Sequence, residues 1–202
     1  MTLIKIGKEL GGLSKMQTID LGFHSQARVW LKDSLPFIYP ALDIISQDIQ
    51  TGLACKSETR QAALEIFIPV GPRVCYGLLG AKFIPNPSGK LSVEVRVSTE
   101  NESIFSSSMA AQVDTVKIGL PEEYSQSVME GIVNSLTNDA KLIETLGSGV
   151  IAIEQAAYGE ISSSKKMFRN IAATVIQLLL LDQASCQDEV TKIVKTHSLA
   201  SR

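Results

Sequence analysis

Apolar and polar residues alternate one by one where Leu91, Val93, Val95 and Val97 are interleaved with Ser92, Glu94, Arg96 and Ser98. A period of two marks a strand with one buried and one wet face. Residues 62–70 and 74–84 are two further strand candidates, divided by the turn Gly71-Pro72, and residues 85–89 form a proline- and glycine-rich loop. Residues 17–31 read as one or two strands, with Ile19, Leu21 and Phe23 on one face and His24 on the other. Residues 113–118 give a short strand and residues 149–157 a longer one, while the serine-rich run 101–108 reads as a mobile loop.

Helical periods occupy the remainder. Asp33-Ser34-Leu35-Pro36 offers a helix start, and Ala41, Leu42, Ile45, Ile49 and Leu53 follow at helical spacing, with an end near Gly52. Leu120-Pro121-Glu122-Glu123 opens a second helix, its acids placed at the positive end of the helix dipole. Tyr124, Val128, Ile132 and Leu136 then recur every four residues as a buried stripe. Gly131 interrupts it at up to about 1 kcal/mol against alanine, so a close approach to a neighbouring strand is expected there. Ser162-Ser163-Ser164 caps a third helix with Phe168, Ile171, Ala172, Val175, Ile176 and Leu179 on its apolar face. Residues 182–185 break it, and a short amphipathic tail follows. From residue 62 the order is four strands, helix, strand, helix. An α+β fold with two helices on one face of a mixed sheet packs this order economically.

Composition narrows the classes. The chain has 202 residues, 45% hydrophobic and 20% charged, with net charge −2. At this length about 70% of the unfolded surface is buried without staples. Residues 61–202 are expected to form the main domain, with residues 1–60 an extension packed on it. No global field draws such a chain to nucleic acid, so any such binding requires a local patch. Cys55, Cys75 and Cys186 have no metal-ligand spacing and read as buried, reduced thiols of a cytoplasmic protein. The first sixteen residues lack the apolar core of a signal peptide. Residues 171–181 are too short to span a bilayer, which takes about 20 residues, and no membrane partner is expected.

Familiar catalytic motifs are missing. Gly7 and Gly12 have the glycine spacing of a phosphate-binding loop, but Leu13 stands where its lysine belongs, so nucleotide binding is not expected. Leu146-Gly147-Ser148-Gly149 leads into a strand and reads as a turn. No Gly-x-Ser-x-Gly elbow is present, and His24 and His197 have no matching acid or nucleophile nearby in sequence. The reading is of a non-enzyme needing no cofactor.

Three stretches carry a resemblance. Gly71-Pro72-Arg73-Val74-Cys75-Tyr76-Gly77 is similar to a Gly-Gly-Arg-Gly-Gln-Tyr-Gly loop. Leu120-Pro121-Glu122-Glu123-Tyr124, continued by Val128 and Gly131-Ile132, is similar to an Ile-Pro-x-Glu-Tyr helix start. Tyr158-Gly159-Glu160-Ile161-Ser162-Ser163-Ser164, followed by Phe168-Arg169 and Ala172, is similar to Tyr-His-acid-Val-Asp-Ser-Ser and its helix. Together and in this order they resemble domain IV of elongation factor G and related translational GTPases, ribosome-protection proteins included, without the GTPase domain. The resemblance implies a split β-α-β fold and a ribosomal or RNA partner. The family's tip histidine is Gly159 here and its aspartate Ser162, so translocation itself is not carried over.

The resemblance also implies that the first and third motif loops meet at one end of the domain. Arg73, Lys165, Lys166 and Arg169 would then share that end with Ser162, Ser163 and the single acid Glu160. Lysines in a helix's first turn oppose its dipole, at about 0.3–1 kcal/mol each when exposed, and a bound anion would compensate them. The expected function is a non-enzymatic module that contacts RNA or the ribosome through this basic tip. Two alternatives stand beside it: a small-molecule enzyme of the same fold, and a protein that self-associates through a sheet face or edge.

Overall fold

The computed structural model describes residues 16–31, 35, 37–55, 58–99, 103–181 and 187–199. Its strands are β1 (Gln17–Gly22), β2 (Ser25–Leu31), β3 (Ala41–Gln50), β4 (Arg60–Val70), β5 (Arg73–Pro85), β6 (Lys90–Ser98), β7 (Val116–Ile118) and β8 (Gly149–Gly159). They form one mixed sheet in the order β1-β2-β4-β5-β8-β6-β3, with β7 alongside the end of β8. Strands from residues 17–50 thus pair with those from residues 60–159, at both margins of the sheet. The parallel pair is β6 with β8. A parallel pair needs a long crossover, and α1 (Glu122–Asn138) and α2 (Ala140–Leu146) lie between these two strands in the chain. After β8 come α3 (Lys165–Leu179) and α4 (Gln187–Leu199). The fold is α+β, and among the described residues no helix is long and apolar enough to cross a membrane.

Helices α1 and α3 pack on the same face of the sheet. The stripe Tyr124, Val128, Ile132 and Leu136 is buried there with Phe168, Ile171, Val175 and Ile176, against Leu79, Phe83, Val93, Val95 and Ile153. Tyr124 and Phe168 stack with ring centroids 4.8 Å apart. Gly77 on β5 admits α3, since a Cβ there would stand 2.7 Å from Ile171 Cδ1. A second, smaller cluster lies on the other face: Trp30, Leu35, Ala63, Tyr76, Leu78, Ala110, Val116 and Ala157. Two segments cover it. One is the connection from β2 to β3, whose Leu35 and Phe37 carbonyls accept hydrogen bonds from Gln155 Nε2 at 2.8 and 3.2 Å. The other is the segment leading into β7, whose Phe105 ring meets Phe37 edge-on at 5.2 Å.

Several expectations are corrected. The helix expected up to Gly52 is the strand β3. Ile45 and Ile49, four apart, share a helix stripe and equally one face of a strand, so spacing alone does not separate the two. β-Branched Ile44, Ile45 and Ile49 favour the strand, Asp43, Ser46 and Asp48 are weak helix formers, and β6 supplies the partner from Asp43↔Val97 to Gln50↔Lys90. Lys90 Nζ and Ser92 Oγ reach Asp48 across this pair at 2.5 and 2.6 Å. Gly131 meets a helix and not a strand: a Cβ there would collide with the Arg169 carbonyl oxygen of α3 and lie 3.1 Å from Ala172 Cβ.

Phe23 is not a strand residue. With His24 it forms the β1–β2 turn, both at positive φ, 51° and 61°. The segment from Ser103 to Ser108 is no loose loop, because Phe105 N–H donates to Val116 O at 2.8 Å and Ile118 N–H to Ser103 O at 2.9 Å. Val113 precedes the strand β7 and lies in a turn. Cys55 is exposed and Cys75 half-buried, so neither is the buried thiol expected. Cys186, the break at residues 182–185, the helix start at Asp33, Ser34 and Pro36, the first fifteen residues and the side chain of His197 lie outside the described residues.

Candidate functional site

Antiparallel pairing brings three turns to one end of the sheet. Val70 pairs with Arg73 across the β4–β5 turn, Gln26 beyond the β1–β2 turn pairs with Phe67, and Leu78 pairs with Ala157 near the end of β8. The first and third motif loops are then fastened directly. Tyr76 N–H donates to Ser162 O at 3.0 Å, and Ser163 Oγ donates to Tyr76 O at 2.9 Å.

The serines expected to receive an anion are engaged within the chain. Ser163 Oγ also accepts from Gly159 N–H at 2.9 Å. Asp114, from the segment before β7, is the acid that fills the turn after β8. It accepts from Ile161 N–H at 3.2 Å, Ser162 N–H at 2.9 Å and Ser162 Oγ at 2.5 Å. Backbone N–H groups converging in a turn make a seat for an anion, and here the anion is internal. The same contact accounts for Gly159, since a Cβ there would collide with the Asp114 carboxylate and Ser162 Oγ. Ser164, the residue after these two, is the N-cap of α3, its Oγ accepting from Met167 N–H at 3.3 Å.

The cations divide into two groups. Arg73, Lys165 and Lys166 are exposed at this end. Arg169, one turn further along α3, is held by Glu130 of α1. Glu160 is held by Lys117 at 2.6 Å, which removes the one acid expected to oppose the patch. Large apolar side chains stand among the cations: Phe23 is 81% exposed and Ile161 88%, with Val70 and Val113 also exposed in adjoining turns. Two non-glycine residues at positive φ cost on the order of 1 kcal/mol or more each, so the Phe23 ring is presented at an energetic cost. A shallow depression of about 280 Å³ beside the Asp114 turn is lined by Phe105, Ser106, Gln112, Thr115 and Val116, and among the described residues Asp114 is the one ionisable side chain lining it.

Sequence reading missed a second polar centre. Glu65 on β4 is fully buried on the second face. Its carboxylate accepts from Tyr76 O–H at 2.9 Å, Met109 N–H at 2.9 Å and Arg28 Nη1 at 3.3 Å. Arg28 Nη1 also donates to Ser107 O at 2.9 Å, so the cluster clasps the segment before β7 onto the sheet. Burial pushes the Glu65 carboxyl above its usual range, against the lowering effect of its three donors. The available signal was a lone glutamate inside the apolar run of β4 (RQAALEIFIPV), where a charge must find partners or raise its pKa. Neither models of known protein families nor curated protein sequences match this chain.

Proposed function

We propose that the chain is a non-enzymatic binding module that takes single-stranded RNA, including ribosomal RNA, on the sheet end carrying Arg73, Lys165 and Lys166. The observation that supports it most is the pair of bonds between Tyr76 and the Ser162-Ser163 turn, which sets the Arg73 hairpin beside the start of α3. Single-strand binding combines cations that track the backbone with an aromatic face on which a base stacks. The exposed Phe23 ring supplies such a face at the same end. Ser162 and Ser163 act here as scaffold, and Arg169, paired with Glu130, stands outside the cationic set. The likeness of three motifs to a translation-factor domain agrees with a ribosomal target.

Fluorescence anisotropy with a labelled uridine oligonucleotide tests the reading. Affinity should fall steeply with salt, each phosphate contact adding about −0.7 to the slope of log K against log salt. Replacing Lys165 and Lys166 together by glutamine should flatten that slope, and Phe23→Ala should weaken binding at every salt concentration. Absence of binding at low salt, or binding indifferent to these changes, would remove the proposal.

A further inference from the structure

The two margins of the sheet are built differently. β1 is six residues long, and its pairing is interrupted between Asp20 and Gly22. Short, irregular edges of this kind resist pairing with another chain. β3 is ten residues long, contains no proline, and runs in regular register with β6 from Asp43 to Gln50. Among the described residues nothing pairs with its outer side. The Ile44 N–H donates to the Asp43 carboxylate at 2.8 Å, and on β6 Ser98 N–H turns away from β3 to donate to Leu120 O at 2.9 Å. In an antiparallel ladder alternate residues bond to the same side, so Ile44, Ser46 and Asp48 direct their backbone groups outward.

We propose that two copies of this chain join antiparallel along β3, about a two-fold axis normal to the sheet at Gln47. An axis of that kind pairs only residues on the same face, so the two numbers of each pair must sum to an even value. Centring on Asp48 or Asp43 would set like charges face to face. Centring on Ser46 sets Asp43 against Ile49 and Ile44 against Asp48, and centring on Ile44 sets Asp43 against Ile45. Centring on Ile45 sets Leu42 against Asp48. Centring on Gln47 instead sets Ile45 against the other copy's Ile49, twice, on the face that carries α1 and α3. Ile45 and Ile49 are half-buried against the main core, and each gains a β-branched neighbour. On the other face Ser46 lies opposite Asp48, twice, a hydroxyl donor facing a carboxylate. The overlap, residues 44–50, lies wholly within the regular part of β3. The partner is therefore a second copy of this chain, because the strand complements itself in backbone and in side chains. The contact leaves the cationic turns free and stands whether or not they bind RNA.

Sedimentation velocity on the full chain, with cross-linking, decides it. At micromolar concentration the chain should sediment as a dimer. Ser46→Pro removes an outward N–H while keeping the β3–β6 bonds, and should weaken association at least tenfold with an unchanged circular dichroism spectrum. Gln47→Cys should form a disulfide from position 47 to itself, mapped by peptide mass, because facing residues of this type stand about 4.5 Å apart at Cα. Asp43→Cys should form no such bond to itself, since the two copies of position 43 lie eight residues apart along the ladder. A monomer at all concentrations, a dimer that survives Ser46→Pro, or a self-disulfide at 43 and not at 47 would each overturn the proposal. The cross-link keeps it testable if the proline variant does not fold.

Discussion

Removing the Glu65 carboxylate would strand two buried donors, the Tyr76 hydroxyl and the Met109 amide. Each costs about 1–3 kcal/mol, so Glu65→Ala should lower unfolding free energy by about 3 kcal/mol in urea. Glu65→Gln keeps one acceptor oxygen and should cost less. The two also differ with pH. Folding raises the Glu65 pKa above its unfolded value of 4.5, so the native state holds this proton more tightly. Its contribution is fully present below 4.5 and is lost as pH rises through the higher folded pKa. Relative to Glu65→Gln, the wild-type chain should therefore lose stability across that window and hold level above it. A pH series of urea midpoints that runs parallel for both proteins would contradict this. Asp114 has a comparable part on the other side of the segment it belongs to. Asp114→Ala leaves Ile161 and Ser162 donors without their acceptor, and should speed proteolysis of the turn after β8 more than it lowers the urea midpoint. The sequence displayed Glu65 as an outlier in an apolar run. It gave no sign of Asp114, whose partners lie 47 and 48 residues downstream.

At the scale of elements, α1 and α3 approach closely at Gly131. Gly131→Ala gains about 1 kcal/mol of helix propensity and forces a Cβ against the Arg169 carbonyl. Overpacking of this kind costs about 1–3 kcal/mol, so the net change should be destabilising by about 1 kcal/mol, read from thermal or urea unfolding. Replacing Lys165 and Lys166 by glutamine works in the opposite sense. It removes cations from the positive end of α3 and should leave the unfolding midpoint unchanged or slightly raised, even as it flattens the salt slope. The elements legible in sequence were those whose period admits one interpretation, such as β6 with its strict alternation and α1 and α3 with their stripes. β3 was not, because Ile45 and Ile49 satisfy two geometries, and the choice was made by β6, a partner some forty residues later in the chain. Three of the cations expected at the tip are exposed there, but no spacing rule gives the ion pairs that occupy Arg169 and Glu160.

Across the whole molecule, protection against amide exchange should follow position in the sheet. β4, β5 and β8 lie at the centre of the sheet, flanked by strands that are themselves paired on both sides, and should exchange slowest, with β1 fastest among the strands. β3 should become slower as protein concentration rises, with the change confined to Ser46 and its outward-facing neighbours. Uniform, concentration-independent exchange along β3 would contradict a strand-paired dimer. The connection that crosses the second face has a further consequence, for synthesis. It carries the chain from one margin of the sheet to the other before the centre has been made. Translation advances at about 5–20 residues per second. β3 ends at Gln50 and its partner β6 begins at Lys90, so a ribosome delivers the finished strand about 2–8 seconds before anything can receive it. The inner side of β6 waits in turn for β8. In this chain the order of birth is nearly the reverse of the order of enclosure, and codon speed between residues 50 and 150 sets how long an unclaimed β3 is offered to its neighbours on the same messenger.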